Sequence, residues 1–516
     1  MKISPGKHSS RQTVRTGVQQ HFDTMSRRRF CATLPLLGVI SGARHSALAQ
    51  LVTGVSKLAP QTRGTQSKLE LDSSSNKLID VFEWASRQSM AYAFDCGDPV
   101  GPWYEAVEPG REGFCIRDTC HQSVGAHALG LARFTRNMLH RFAENVSDSR
   151  DWCSYWEIDR YNRPAPVDYK NDAEFWYNLP ANFDLVDCCY RMYVWSGDRT
   201  YIEDPVFLNL YDRTVKGYVE RWGLDVDHIM QRPRLLNVRG IYDPTKKFVR
   251  ARGIPGYNEG DHTYLVGLDV LETQRAAYLA YAHIQQARQN AEAADLYLRK
   301  AKAVQQLLQT RWWNKAQGCF SARLEPDHTL IGCGARREDA GGSLIWRSDV
   351  IADPSDLVVP TDQDAVVERL LDLSHARLEY PEVPFTRIGN IVTRILGLTL
   401  EYRSPLLSTT EGGWVEMTVV TMSGLGANIA WAEIRNLPVR DSVIALRHEG
   451  RQRTILTNQS GPALIWRPVF EGEHNTIVLN DRPVKTTTAV DANGKPLSFV
   501  RVAVGAGDSV EARLNL

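Results

Sequence analysis

Two carboxylates stand on glycine-rich bends. Glu259 lies in the run RARGIPGYNEGDHT at 250–263, and Glu411 in TTEGGW at 409–414. Glycine and proline forbid regular structure in both places. A long helix follows the first bend and could hold Glu259 while it is aimed across a cleft. Glu416 competes with Glu411 for the second position. An isolated loop glutamate is ordinarily solvated surface, so the neighbours matter: Tyr257 and His262 flank Glu259, and Trp414 flanks Glu411. Paired carboxyls on bends suit proton transfer, one donating while the other accepts.

Polar and aromatic side chains recur upstream. Arg117, Asp118 and His121 fall at the entrance to a helix expected over 123–145. Capping alone would explain Asp118, but the three together can grip hydroxyl groups through directional hydrogen bonds. The aperiodic stretch 151–172 carries Trp152, Trp156 and Glu157; it fits a binding loop and equally a surface loop pinned by buried tryptophans. Residues 175–205 carry Trp176, Asn182 and Asp184, flat rings beside short polar groups that suit sugar rings. An ordinary amphipathic helix with core aromatics accounts for the same pattern.

These groups need a scaffold, and helical spacing supplies most of it. Leu185, Cys188, Cys189, Met192 and Tyr193 mark one helix, closed by Ser196-Gly197-Asp198 and followed by a partner over 206–222. Further helices are predicted over 78–93, up to 287, and over 292–312, 362–375, 387–402 and 417–434. After 438 the texture changes to short alternating runs at 442–446, 453–457, 463–466, 476–479, 499–504 and 509–514, the pattern of a small antiparallel sandwich. The expected organisation is a polar leader over 50–77, a helical domain over 78–437 and a β domain over 438–516.

The chain has 516 residues, with 61 basic against 60 acidic side chains and a net charge of +1. That balance carries no electrostatic footprint for nucleic acid. Its 13 tryptophans and 19 tyrosines suit a neutral, ring-shaped partner such as a carbohydrate. Ser26-Arg27-Arg28-Arg29-Phe30, an apolar run at 34–40 and Ala47-Leu48-Ala49 resemble a twin-arginine export signal over 1–49, with Met25 a possible start. The apolar run is too short for a stable membrane span, so a periplasmic or secreted bacterial protein is expected. Oxidising surroundings permit disulfides, and Cys319 with Cys333, flanking a strand-turn-strand pattern, is the first candidate pair. The cysteine spacings match no zinc pattern, and no nucleotide or redox cofactor is called for. Oligomeric state is left open.

The helix hairpins, the acid-bearing turn before a long helix, the Thr409-Thr410-Glu411-Gly412-Gly413-Trp414 segment and the terminal β module together resemble the six-hairpin glycosidases, α-L-rhamnosidase-like or glucoamylase-like. The resemblance runs from about residue 78 and does not single out one family. It implies a mainly α fold, an (α/α)6 toroid of helix hairpins with a C-terminal antiparallel β-sandwich. It also implies that Glu259 donates a proton to the leaving group, that Glu411 activates water, and that Asp118 stands near the sugar. Water-using enzymes of this kind usually invert, with the carboxyls far enough apart to admit water. The runner-up is a polysaccharide lyase with Tyr257, His262 or His121 as base and Arg117 or Arg252 neutralising a uronate. A binding protein without catalysis is the third reading.

Overall fold

A computed structural model describes residues 67–233, 252–257, 263–336, 350–351, 357, 359–402, 417–491 and 493–515. They all belong to one compact unit, Pro60–Leu516.

The helix Pro180–Ser196 is the centre of the helical part. Proline opens it, Gly197 at φ 72° closes it, and every residue from Pro180 to Trp195 is buried. A helix apolar on nearly all faces must be surrounded. It packs against Leu268–Ala287 on one side and Ile116–Ala128 on another. Leu268–Ala287 in turn pairs with Ala291–Leu307, whose start is capped by the Asn290 side chain. Asp204 caps Pro205–Arg213, which continues through one wide turn to Arg221. These hairpins follow the expected pattern.

Glu382–Asn390 packs on Ile116–Ala128 and Asn76–Ala91. The crossing is unusually close. A methyl at Gly125 would stand 1.9 Å from the Phe385 carbonyl oxygen, and one at Gly389 would stand 3.3 Å from the Gly125 nitrogen. Only glycine lets the two backbones approach this far.

Three helical expectations are corrected. The segment 123–145 is two helices, Ile116–Ala128 and Ala132–Ala143, because the chain reverses at Gly130 with φ 86°. The first begins seven residues early, so Arg117, Asp118 and His121 lie on its first turns rather than ahead of it. The segment 387–402 leaves helix after Ile395, turns at Gly397 with φ 55°, and becomes the strand Leu398–Tyr402. In place of a helix over 417–434 stand the strands Met417–Thr421 and Trp431–Val439. The β-branched run Thr418-Val419-Val420-Thr421 prefers an extended backbone.

The β part therefore starts well before 438. One sheet runs in the order Glu70–Ser73, Trp431–Val439, Ser442–Glu449, Arg453–Ser460, Ser509–Leu514, Thr476–Leu479 and Arg482–Lys485. Its first strand comes from the expected leader. The second sheet runs Val350–Ile351, Leu398–Tyr402, Met417–Thr421, Leu464–Glu471, Pro496–Phe499 and Thr487–Val490, with Val502–Val504 also on Leu464–Glu471. It is mixed rather than antiparallel, since Met417–Thr421 runs parallel to Leu464–Glu471. Ile434 and Leu446 of the first sheet share one core with Val419 and Trp466 of the second and with the helices. Arg440 N–H donates to the Trp195 carbonyl at 2.7 Å, tying sheet to helix.

Cys319 and Cys333 are bonded, as expected, with Cα atoms 5.8 Å apart. Among the described residues no helix is long and apolar enough to cross a membrane.

Candidate active site

A cavity of about 510 Å³ opens between the Ile116–Ala128, Pro180–Ser196 and Glu382–Asn390 helices, and Arg117, His121, Asp184, Arg191, Tyr257 and Glu382 line it. The helices supply these side chains from positions that the glycine crossing brings together. His121 sits one turn before Gly125, and Glu382 just ahead of Phe385. His121 Nδ1 and Glu382 Oε1 are 2.6 Å apart. Burial alone would push Glu382 up, but the hydrogen bond and charge of His121, with Arg117 and Arg377, outweigh it and hold the carboxyl below its ordinary value.

Tyr257 lines the same cavity. Its N–H donates to Asp269 at 2.6 Å and its hydroxyl donates to Asp184. The Arg117 guanidinium lies 5.1 Å from the centre of the Tyr257 ring, a cation–π contact. Burial, reinforced by the Asp184 charge, pushes the Tyr257 phenol well up. Burial also pushes Asp269 up to about 6.

Asp118 sits behind the cavity. Its Oδ2 accepts from the Tyr380 hydroxyl at 2.7 Å, and Oδ1 is 3.5 Å from Arg117 Nε. Burial first and the Glu382 charge second raise it to about 6. Arg191, on the central helix, donates to Asp187 at 3.0 Å and to the Cys120 carbonyl at 3.2 Å.

Other sequence-selected residues are placed further off. Trp156 and Trp176 pack together around Ile254 as an aromatic backing, with the Trp156 ring 6.3 Å from Tyr257. Asn182 is fully buried, accepting from Tyr177 at 2.6 Å and donating to the Trp152 carbonyl and Thr214. Its amide braces the hairpin and is not presented to the cavity. Trp152 stacks under Arg213 at 4.7 Å. Glu157 is buried and takes a 2.8 Å hydrogen bond from Arg111. Arg252, offered for a lyase, is bound to Asp151 at 3.0 Å and to the Asp172 carbonyl at 2.6 Å, away from the cavity. Glu259, His262, Glu411, Trp414 and Glu416 lie outside the described residues. Tyr257, two positions before Glu259, lines the cavity itself.

Sequence reasoning missed Glu382, Arg191, Asn390 and Arg394, all on the cavity wall. For Arg191 a signal existed: Asp184, Asp187 and Arg191 recur at helical spacing inside an otherwise apolar helix. Among the described residues no group of three or more His, Cys, Asp and Glu could hold a metal ion.

This chain is similar to several solved structures at low sequence identity. They include the α-L-rhamnosidase from Dictyoglumus thermophilum, at 13% identity and TM-score 0.48, covering 88% of this chain and 51% of that one. The α-L-rhamnosidase from Aspergillus terreus matches at 11% identity and TM-score 0.43, covering 86% and 50%. A putative kojibiose phosphorylase from human microbiome matches at 9% identity and TM-score 0.40, covering 86% and 68%. This chain thus spans about half the length of the two rhamnosidases. No family model matches the chain, and no curated protein matches it.

Proposed function

We propose that this chain is an exported glycoside hydrolase acting on an oligo- or polysaccharide, with its helix hairpins closed into an (α/α)6 ring. The observation that carries the reading is the cavity. Charged, hydroxyl and aromatic groups from three helices and the Tyr257 segment converge there, the donor, acceptor and ring set that a polyhydroxylated ligand needs.

In this reading Glu259 gives its proton to the glycosidic oxygen while Glu411 takes one from water. The water oxygen bonds to the anomeric carbon as the carbon–oxygen bond to the leaving group breaks, with inversion. Asp184 and Glu382 accept hydrogen bonds from sugar hydroxyls, and Tyr257 offers its ring face. The lyase alternative asks Tyr257 to work as a base. Its hydroxyl instead donates to Asp184, and burial holds the phenol well up, which is unfavourable to a tyrosinate.

Mass spectrometry of products from a panel of plant and bacterial oligosaccharides tests the reading. Fragments whose summed mass includes one added water establish hydrolysis; unsaturated fragments without it establish a lyase. Binding without products leaves a carbohydrate-binding protein. Given hydrolysis, Glu259→Gln and Glu411→Gln should each lower kcat about 10²- to 10⁴-fold. Retained turnover in both, with loss in Asp184→Asn or Glu382→Gln, moves the assignment to those carboxylates.

A further inference from the structure

Among the described residues, one cation on the cavity wall has no acid paired with it. Arg191 has Asp187 at 3.0 Å, His121 has Glu382 at 2.6 Å, and Arg117 has Asp118 at 3.5 Å. Arg394 also lines the cavity, but no described acid pairs with it, and its Nε is buried without a hydrogen-bond partner. The charged neighbour that acts on it is another cation, Arg369; burial first and that charge second bring the guanidinium down to about 10. A buried guanidinium without a counter-charge is costly unless something supplies one.

Asn390 stands one helical turn before Arg394 and lines the same cavity. Side chains four apart share a face, and the Asn390 amide makes no side-chain hydrogen bond to a described residue. The acids nearby are already engaged, Asp184 by Tyr257 and Glu382 by His121.

We propose that the cavity takes a sugar bearing a carboxylate, a uronate, whose anionic group is held by the Arg394 guanidinium and the Asn390 amide. The proposal rests on the carbohydrate reading above and names its substrate class. A planar carboxylate matches the planar guanidinium fork and leaves an oxygen for an amide donor. Its single negative charge would face the guanidinium to which no described acid is paired.

Calorimetric titration of the full chain at pH 7 tests this, with D-galacturonate and D-glucuronate against D-galactose and D-glucose, and with D-galactose 6-sulfate as a tetrahedral anion. At least one uronate should bind about tenfold or more tightly than its neutral counterpart. Arg394→Gln and Asn390→Ala should each weaken that binding about 10- to 100-fold and leave the neutral sugars unaffected. Asn390→Ala carries the test if Arg394→Gln fails to fold, as judged by its melting curve. Equal affinity for neutral and anionic sugars, no uronate binding at all, or preference for the sulfate would overturn the proposal. Uronate binding that depends on Arg394 without turnover of any uronide would sink the hydrolase reading and leave this one standing. Hydrolysis of neutral glycosides with no binding of either uronate would do the reverse.

Discussion

His121 Nδ1 lies 2.6 Å from Glu382 Oε1 across 261 positions of sequence, joining two helices at the cavity wall. The Glu382 carboxyl is held below its ordinary value of 4.5 because the His121 hydrogen bond and the surrounding cations outweigh burial. A carboxyl lowered by folding contributes stability above its unfolded pKa and loses it as pH falls through the folded value. Glu382→Gln should therefore cost about 1–3 kcal/mol at neutral pH and make the acid limb below about pH 4.5 shallower. Urea unfolding midpoints from pH 3 to 7 for both proteins read this directly; parallel curves would show that the pair contributes nothing.

The same pair depends on the close crossing at Gly125. A Cβ there meets the Phe385 carbonyl oxygen at 1.9 Å and its carbon at 2.8 Å. Both contacts are with backbone, so no side chain can swing aside to relieve them. Gly125→Ala should force the helices apart and cost about 1–3 kcal/mol or more. The acid limb should flatten as in Glu382→Gln, since His121 would lose reach. A melting temperature within a degree of the parent protein would contradict this account of the crossing.

Parts of this arrangement are legible in the sequence and parts are not. The Pro180–Ser196 hairpin and the Cys319–Cys333 bond could be read because capping residues, helical period and turn chemistry agree locally. The strands at 417–421 and 431–439 carry short apolar runs that fit both periods, and only their β-branched residues arbitrate against a helix. Arg117, His121, Asp184 and Tyr257, which line the cavity, stand out in the sequence by their clustering with aromatics. Glu382 and Arg394 were missed because one charge per turn on an amphipathic helix looks like solvated surface. Only the tertiary crossing turns that face toward the cavity.

The Cys319–Cys333 bond closes a loop with a sequence separation of 14. Chain-entropy reasoning assigns about 3 kcal/mol to a loop of that size. Cys319→Ser with Cys333→Ser should lower the melting temperature, and a reducing agent should produce the same shift in the parent and none in the double variant. The bond lies outside the cavity wall, so sugar binding at low temperature should persist. Loss of binding in the folded double variant would mean that this hairpin reaches the site.

Glu157 is expected to act with the opposite sign to Glu382. Burial first and the charge of Asp168 second raise it from 4.5 to about 8, against the pull of Arg111 at 2.8 Å. A carboxyl that keeps its proton to higher pH when folded makes the folded state bind more protons through that interval. Stability then falls as pH rises from about 4.5 toward 8. Glu157→Gln removes the titration while preserving the shape of the side chain. Its unfolding free energy should decline less than the parent's between pH 5 and pH 8, by an amount on the order of a few kcal/mol. Chemical denaturation at unit pH intervals would decide it. A parent curve that rises over this range would mean that Arg111 holds Glu157 ionised and that Asp168 carries the proton instead.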